Sequence, residues 1–338
     1  MKKRMFLATL LSSVVLFFSC SIDDDIGGGG GAPIPVNSVV YAASNSSNKI
    51  AVYQLFPEDI VGGLNDISSN NNQGVYYNKE DDELVVNSKE QQAINVFSNV
   101  KNTTSGTSLN LALSSASVLQ NPRDIAVKDQ YYIVSDSELN SEEGKLLIFE
   151  RDENGFQLRN TVSLNYEVWG LEMRGSDLYH TIPNTSDVAV FRDFISTYTT
   201  DTTAAPDKRI SLERMENIRG ISSDSGVFVF TDVGDVDRSK DGAIQSVSRF
   251  IEKFNAVEDG GEMAFQSNQI RVSGEFTKLG NPLDVVYDAS IDGIFVAENS
   301  RDGGAILFFQ GIEIGGEIAP LYTFAFEGAS SLTFAKLR

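Results

Sequence analysis

One short unit recurs six times along the chain: a β-rich run, a polar loop and a second β-rich run. It reads VVYAASNSSNKIAVYQL from Val39, ELVVNSKEQQAINVF from Glu83 and YYIVSDSELNSEEGKLLIF from Tyr131. It returns as DLYHTIPNTSDVAVF from Asp177, VFVFTDVGDVDRSKDGAIQSV from Val227 and IFVAENSRDGGAILFF from Ile294. Alternating apolar residues around Asn, Asp, Ser or Gly loops make each unit a β-hairpin. Five hairpins are preceded by a further strand: GVYY from Gly74, DIAV from Asp124, GLEM from Gly170, GISS from Gly220 and DVVY from Asp284. Their starts lie 50, 46, 50 and 64 residues apart. The first hairpin lacks this strand, and the missing copy stands at the other end of the chain as SLTF from Ser331. Outer strands fit at Leu158 to Leu164, Arg209 to Arg214, Gln269 to Phe276 and Ala319 to Phe326. The expected fold is all-β: a six-bladed β-propeller with four-stranded blades, closed by the C-terminal strand completing the first blade. Closure of that kind protects the sheet edges of the first and last blades.

Strand alternation then sorts the inner-strand residues. The second positions, Val75, Ile125, Leu171, Ile221, Val285 and Leu332, are all apolar and should pack between blades. The first positions, Gly74, Asp124, Gly170, Gly220, Asp284 and Ser331, should face the axis, where crowding favours small residues. Two are carboxylates, on blades 3 and 6, diametrically opposite in a ring of six. Third positions add Tyr76, Glu172, Ser222 and Thr333 to the same wall, and Arg123, Trp169 and Arg219 stand one residue before the inner strands, at the channel mouth. The candidate site is therefore Asp124, Glu172 and Asp284 in the channel, with Arg123, Trp169 and Arg219 at its mouth. Asp124 and Asp284 are candidate ligands for a hard cation such as calcium, and the arginines suit a carboxylate or phosphate. Backbone amides are the competing partners for the aspartates. The acidic loops Asp136 to Glu143, Asp232 to Asp241 and Glu298 to Asp302 read as solvated.

The hairpins, best at Lys49-Ile50-Ala51-Val52-Tyr53 and Ala93-Ile94-Asn95-Val96-Phe97, resemble NHL repeats over roughly Val39 to Leu337. The resemblance implies the propeller fold rather than an activity.

The N-terminus has the layout of a secretory signal: Lys2, Lys3 and Arg4, then an apolar stretch from Met5 to Phe18, then Ser19-Cys20. Cys20 is the one cysteine in 338 residues, so no intramolecular disulfide is available and a lone exported thiol calls for another role. Leu16-Phe17-Phe18-Ser19-Cys20 resembles a lipobox, of the looser form familiar in Bacteroidota lipoproteins. Ser21-Ile22-Asp23-Asp24-Asp25 is similar to the surface-export signal of that group. These likenesses imply a signal peptide over 1–19, lipid on Cys20, a tether over 20–36, the propeller over 37–338, and residence in the outer membrane on its periplasmic or surface face. Gly27 to Gly31 and Ala32-Pro33-Ile34-Pro35 carry no periodicity, and about sixteen such residues reach on the order of 20 Å. Because the first hairpin begins with a second strand, the tether should enter opposite the arginine mouth.

Loss of the signal would leave 24 basic against 47 acidic residues, a charge of −23, which argues against nucleic acid as a partner. His180 is the sole histidine, with no serine partner in sequence and no cluster for zinc, so no catalytic residue is assigned. The expectation is a noncatalytic binding module for a protein or glycan. The alternatives are a calcium-dependent lactonase-like enzyme, for which Asn121, Asn217 and Asn281 would join the channel set, and a structural accessory subunit of an envelope complex.

Overall fold

The computed structural model describes residues 38–337 except 57–58, 102, 138–141, 236 and 239; the signal, Cys20 and tether therefore lie outside the described residues. Six antiparallel sheets of four main strands form the blades of a propeller. Each blade runs inner strand, second strand, third strand, outer strand, as in Asn72–Asn78, Glu83–Ser88, Ala93–Ser98 and Asn110–Ser114 of blade 2. The inner strands of blades 3 to 6 are Asp124–Lys128, Leu171–Arg174, Ile218–Asp224 and Pro282–Asp288. Blade 1 takes its inner strand, Ala329–Lys336, from the C-terminus, paired antiparallel with Ser38–Ser44 so that Tyr41 faces Thr333 and Ser38 faces Lys336. No blade edge is left open where the first described strand begins.

Sequence chemistry explains the turns. The hairpins joining inner to second strands use positive φ at Asp82, Asp129, Gly175, Ser225 with Gly226, and Asp292. Short hairpin loops need that left-handed backbone to match strand twist, and Asp and Gly tolerate it best.

The core is six separate inter-blade layers rather than one. Each of the six apolar clusters draws on two adjacent blades, and each contains one second-position residue: Val75, Ile125, Leu171, Ile221, Val285 and Leu332 fall in six different clusters. Alternation thus assigns these side chains correctly. The 64-residue interval between Gly220 and Asp284 holds an insertion between the third and outer strands of blade 5. There Phe250–Ala256 forms a helix whose Phe250 and Phe254 are buried against Tyr179 and Phe228. Two outer strands escape the sequence pattern, Asp59–Asp66 and Asn110–Ser114. The first is interrupted by Gly62 and Gly63, and the second is almost wholly exposed, so neither shows a buried stripe.

Candidate functional site

The inner strands enclose a cavity of about 720 Å³ on the axis. Its walls come from Asp124, Asp284 and the second position of each inner strand onward, and its rim from the turns at the strands' C-terminal ends, such as Asn78 to Glu80. It therefore opens at the end opposite Arg123, Trp169 and Arg219. Asp124 and Asp284 sit deep in it, with Tyr76, Glu172, Ser222 and Thr333 one alternation further along the wall. Tyr77, Tyr132, Tyr287 and Phe334 also contribute to the lining.

The two aspartates are ties between blades. Asp124 accepts from Leu171 N of blade 4 at 2.8 Å and from its own neighbour Ile125 N at 2.7 Å. Asp284 does the same across the closure, accepting from Leu332 N of blade 1 at 2.7 Å and from Val285 N at 2.8 Å. Ser331 completes the series by accepting from Val75 N of blade 2 at 3.0 Å. Where the first position is glycine, backbones meet directly: a Cβ on Gly220 would lie 2.7 Å from Asp284 Cα, and one on Gly170 2.6 Å from Arg219 O. The residue types along the axis thus follow one rule. A short acceptor reaches the next blade's amide, or no side chain is present and the strands close up.

Burial raises all three carboxyls. Asp124 is pushed up to about 6 and Glu172 to about 7, each chiefly by burial. Asp284, 8 % exposed, is held well above the usual carboxylate range by burial and then by the charge of Asp124. Glu172 accepts from Ser223 Oγ at 2.5 Å. Both aspartates spend their oxygens on amides, and among the described residues no three carboxylate, histidine or cysteine side chains converge as a cation needs.

The other sequence candidates gather at the far end of the axis and do not line the cavity. Trp169 has both guanidinium groups over its ring, Arg123 at 4.3 Å and Arg219 at 4.2 Å. Second-strand hydroxyls hold this trio in place. Ser135 accepts from Asp124 N and donates to Trp169 O at 2.7 Å, and Thr181 accepts from Gly170 N and donates to Arg219 O. Asn121 accepts from Lys89 Nζ at 2.6 Å, and Asn217 Oδ1 from Asn184 N at 2.9 Å, so these asparagines also belong to this end.

The acidic loops begin with carboxylates that are structural rather than solvated. Asp136 accepts from Gln120 N and Asn121 N, Asp232 from Glu216 N and Asn217 N, and Glu298 from Gly280 N and Asn281 N. Each pins the segment leading into its own inner strand, and each is nearly sealed from solvent. The signal was present in the repeat as an acidic residue at the end of the second strand in blades 3, 5 and 6. His180 is fully buried, shares a 3.0 Å hydrogen bond with Tyr166 Oη, stacks on Phe191, and is lowered to about 3 by burial. It is neutral and out of reach of any substrate.

No family pattern matches the chain, and no curated protein matches it. Solved structures do. A protein of Bacteroides uniformis ATCC 8492 described as a putative 6-phosphogluconolactonase matches with a TM-score of 0.60 and 10% identity, over 89% of this chain and 100% of that one. A protein of Bacteroides fragilis NCTC 9343 described in the same words matches at 0.58 and 12%, over 88% and 98%. A chain of a nidogen/laminin complex matches equally well, at 0.58 and 12%, over 88% and 98%. A chain described as a putative 6-phosphogluconolactonase and a chain of a nidogen/laminin complex fit alike, so the likeness establishes the fold and no activity.

Proposed function

We propose that this propeller is a noncatalytic binding module that takes a neutral glycan into the wide end of its channel. The carrying observation is the cavity itself: about 720 Å³, open at one end, ringed by Tyr76, Tyr77, Tyr132, Tyr287 and Phe334, with its deep carboxylates committed to the protein's own donors. Concave sites with aromatic walls and a few fixed polar groups are the usual form of small-ligand pockets. Ring faces suit the C–H surface of a sugar, and Tyr hydroxyls suit its alcohols. A phosphorylated sugar lactone, as the name given to the Bacteroides structures implies, fits the chemistry less well. It would meet Glu80, Asp129 and Asp224 at the rim, against Lys79 and Lys336, and Lys336 is already paired with Asp288 at 2.8 Å.

Delivery belongs to the same proposal. Lipid on Cys20 holds the propeller to the outer membrane through the 20–36 tether, as an NHL-like lipoprotein of the Bacteroidota type. The first described strand starts at Ser38, opposite the cavity-lining Lys336, so the chain enters at the wide rim. Short of tumbling on the tether, the arginine end faces outward.

Calorimetry with neutral oligosaccharides tests the reading, using the wild type and a Tyr76→Ala, Tyr287→Ala double variant. Binding heat that disappears in the double variant supports it. Heat unchanged by the double variant, or binding only to a protein partner, overturns it. Turnover of a sugar lactone by the wild type would restore the enzymatic alternative.

A further inference from the structure

The arginine end of the axis gathers cations of this acidic chain, at −20 formal charge, that form no ion pair among the described residues. Lys89 of blade 2, Arg123 of blade 3 and Arg219 of blade 5 converge there, and Trp169 of blade 4 has the two guanidinium groups 4.3 and 4.2 Å from its ring centroid. Arg219 is 8 % exposed, yet its Nη1 has no acceptor among the described residues; Nη2 donates to Asn184 Oδ1 at 3.3 Å. Arg123 Nε is likewise buried without an acceptor among the described residues. Of the carboxylates nearby, Glu167 acts on both arginines without an ion pair among the described residues, and the other two are engaged elsewhere. Asp136 is spent on the amides of Gln120 and Asn121, and Asp232 is paired with Arg271 at 2.9 Å. Burial and mutual repulsion oppose this arrangement: Arg219 is brought down to about 10 by burial and then by Arg123, and Lys89 is lowered by burial and by Arg123. Buried donors without acceptors are costly, and a fixed guanidinium fork is the natural complement of a planar anion.

We infer that Arg123, Arg219 and Trp169 form a second binding site, at the arginine end of the channel, for a ligand bearing a carboxylate. A carboxylate at this end would take up the unspent N–H groups at Arg219 Nη1 and Arg123 Nε. A single negative charge fits better than a phosphate dianion, because Glu167 acts on both arginines from nearby. The site is independent of the wide-end glycan pocket, and either can exist without the other.

Trp169 is the one tryptophan in the chain, so its fluorescence reports this site alone. The full-length chain is titrated with an oligogalacturonate, an acidic peptide, inorganic phosphate and a neutral oligosaccharide. The expected result is a saturable Trp169 response to a carboxylate probe, weakened at least about tenfold in Arg123→Gln and reduced by added salt. Because Arg219 is buried and its replacement can unfold the chain, the partly exposed Arg123 carries the test, with circular dichroism confirming its fold. A response to oligogalacturonate identifies an acidic glycan as the source of the carboxylate, and a response to the peptide alone identifies a protein; both support the site. A response to phosphate alone, no response to any carboxylate, or an unchanged affinity in Arg123→Gln overturns it.

Discussion

Replacing Glu172 by Gln removes one of the three buried charges while keeping shape and an oxygen for Ser223 Oγ. In the folded protein Glu172 is lifted from 4.5 to about 7, chiefly by burial, with the Ser223 hydrogen bond and Arg174 pulling the other way and Asp124 adding repulsion. Between those two pH values the native state holds a proton that the unfolded chain has released. The associated stability is complete below about pH 4.5 and is lost as pH rises through about 7. A tenfold change in proton affinity is worth about 1.4 kcal/mol, so full ionisation costs the wild type on the order of 3 kcal/mol, reduced to about 2 kcal/mol by water in the open cavity. The Gln variant carries no such cost. Urea unfolding, followed by Trp169 fluorescence at intervals from about pH 4.5 to 8.5, should find the two proteins equal at the acid end and the variant more stable by about 2 kcal/mol at the alkaline end. A difference that does not change with pH, or a wild type more stable than the variant at the alkaline end, would refute the reasoning.

Three further outcomes follow from the axis. Asp124→Ala strands the Leu171 amide and should cost about 1 to 3 kcal/mol at about pH 5 in urea titrations, whereas Asp124→Asn, which keeps an acceptor, should lose less. Gly220→Ala drives a methyl against the Asp284 backbone and should destabilise by about 1 to 3 kcal/mol or more, but Gly175→Ala, with open space and φ of 66°, should cost only about 1 kcal/mol; a reversed order in thermal melts would contradict the close-approach account. Deleting 329–338 removes the strand paired with Ser38–Ser44, exposes the inner edge of blade 1, and should yield aggregate rather than monomer by size exclusion.

Much of this was legible in the chain because a propeller writes its repeat locally. Six hairpins and six short inner strands can be aligned without knowing a single long-range contact, and the C-terminal copy announces closure. Alternation also carried the second positions into the inter-blade cores and the third positions onto the cavity wall. Two outer strands were illegible because Gly62, Gly63 and the exposed Asn110–Ser114 show no buried stripe. The six candidate residues, read as one constellation, divide into two ends of the axis.

Blade number, permutation and the set of residues facing the axis were readable from residue order, since they depend on period and succession, which are one-dimensional. What the axial groups do was not. Whether Asp124 meets a cation or the Leu171 amide depends on how closely one blade approaches the next, and that spacing is set by glycine contacts between strands some fifty residues apart. The same holds for which end of the channel opens, and for Asp136, Asp232 and Glu298, whose burial reverses their reading as solvated charge. Partner, distance and dielectric are properties of the assembled ring, and they appear when its blades close.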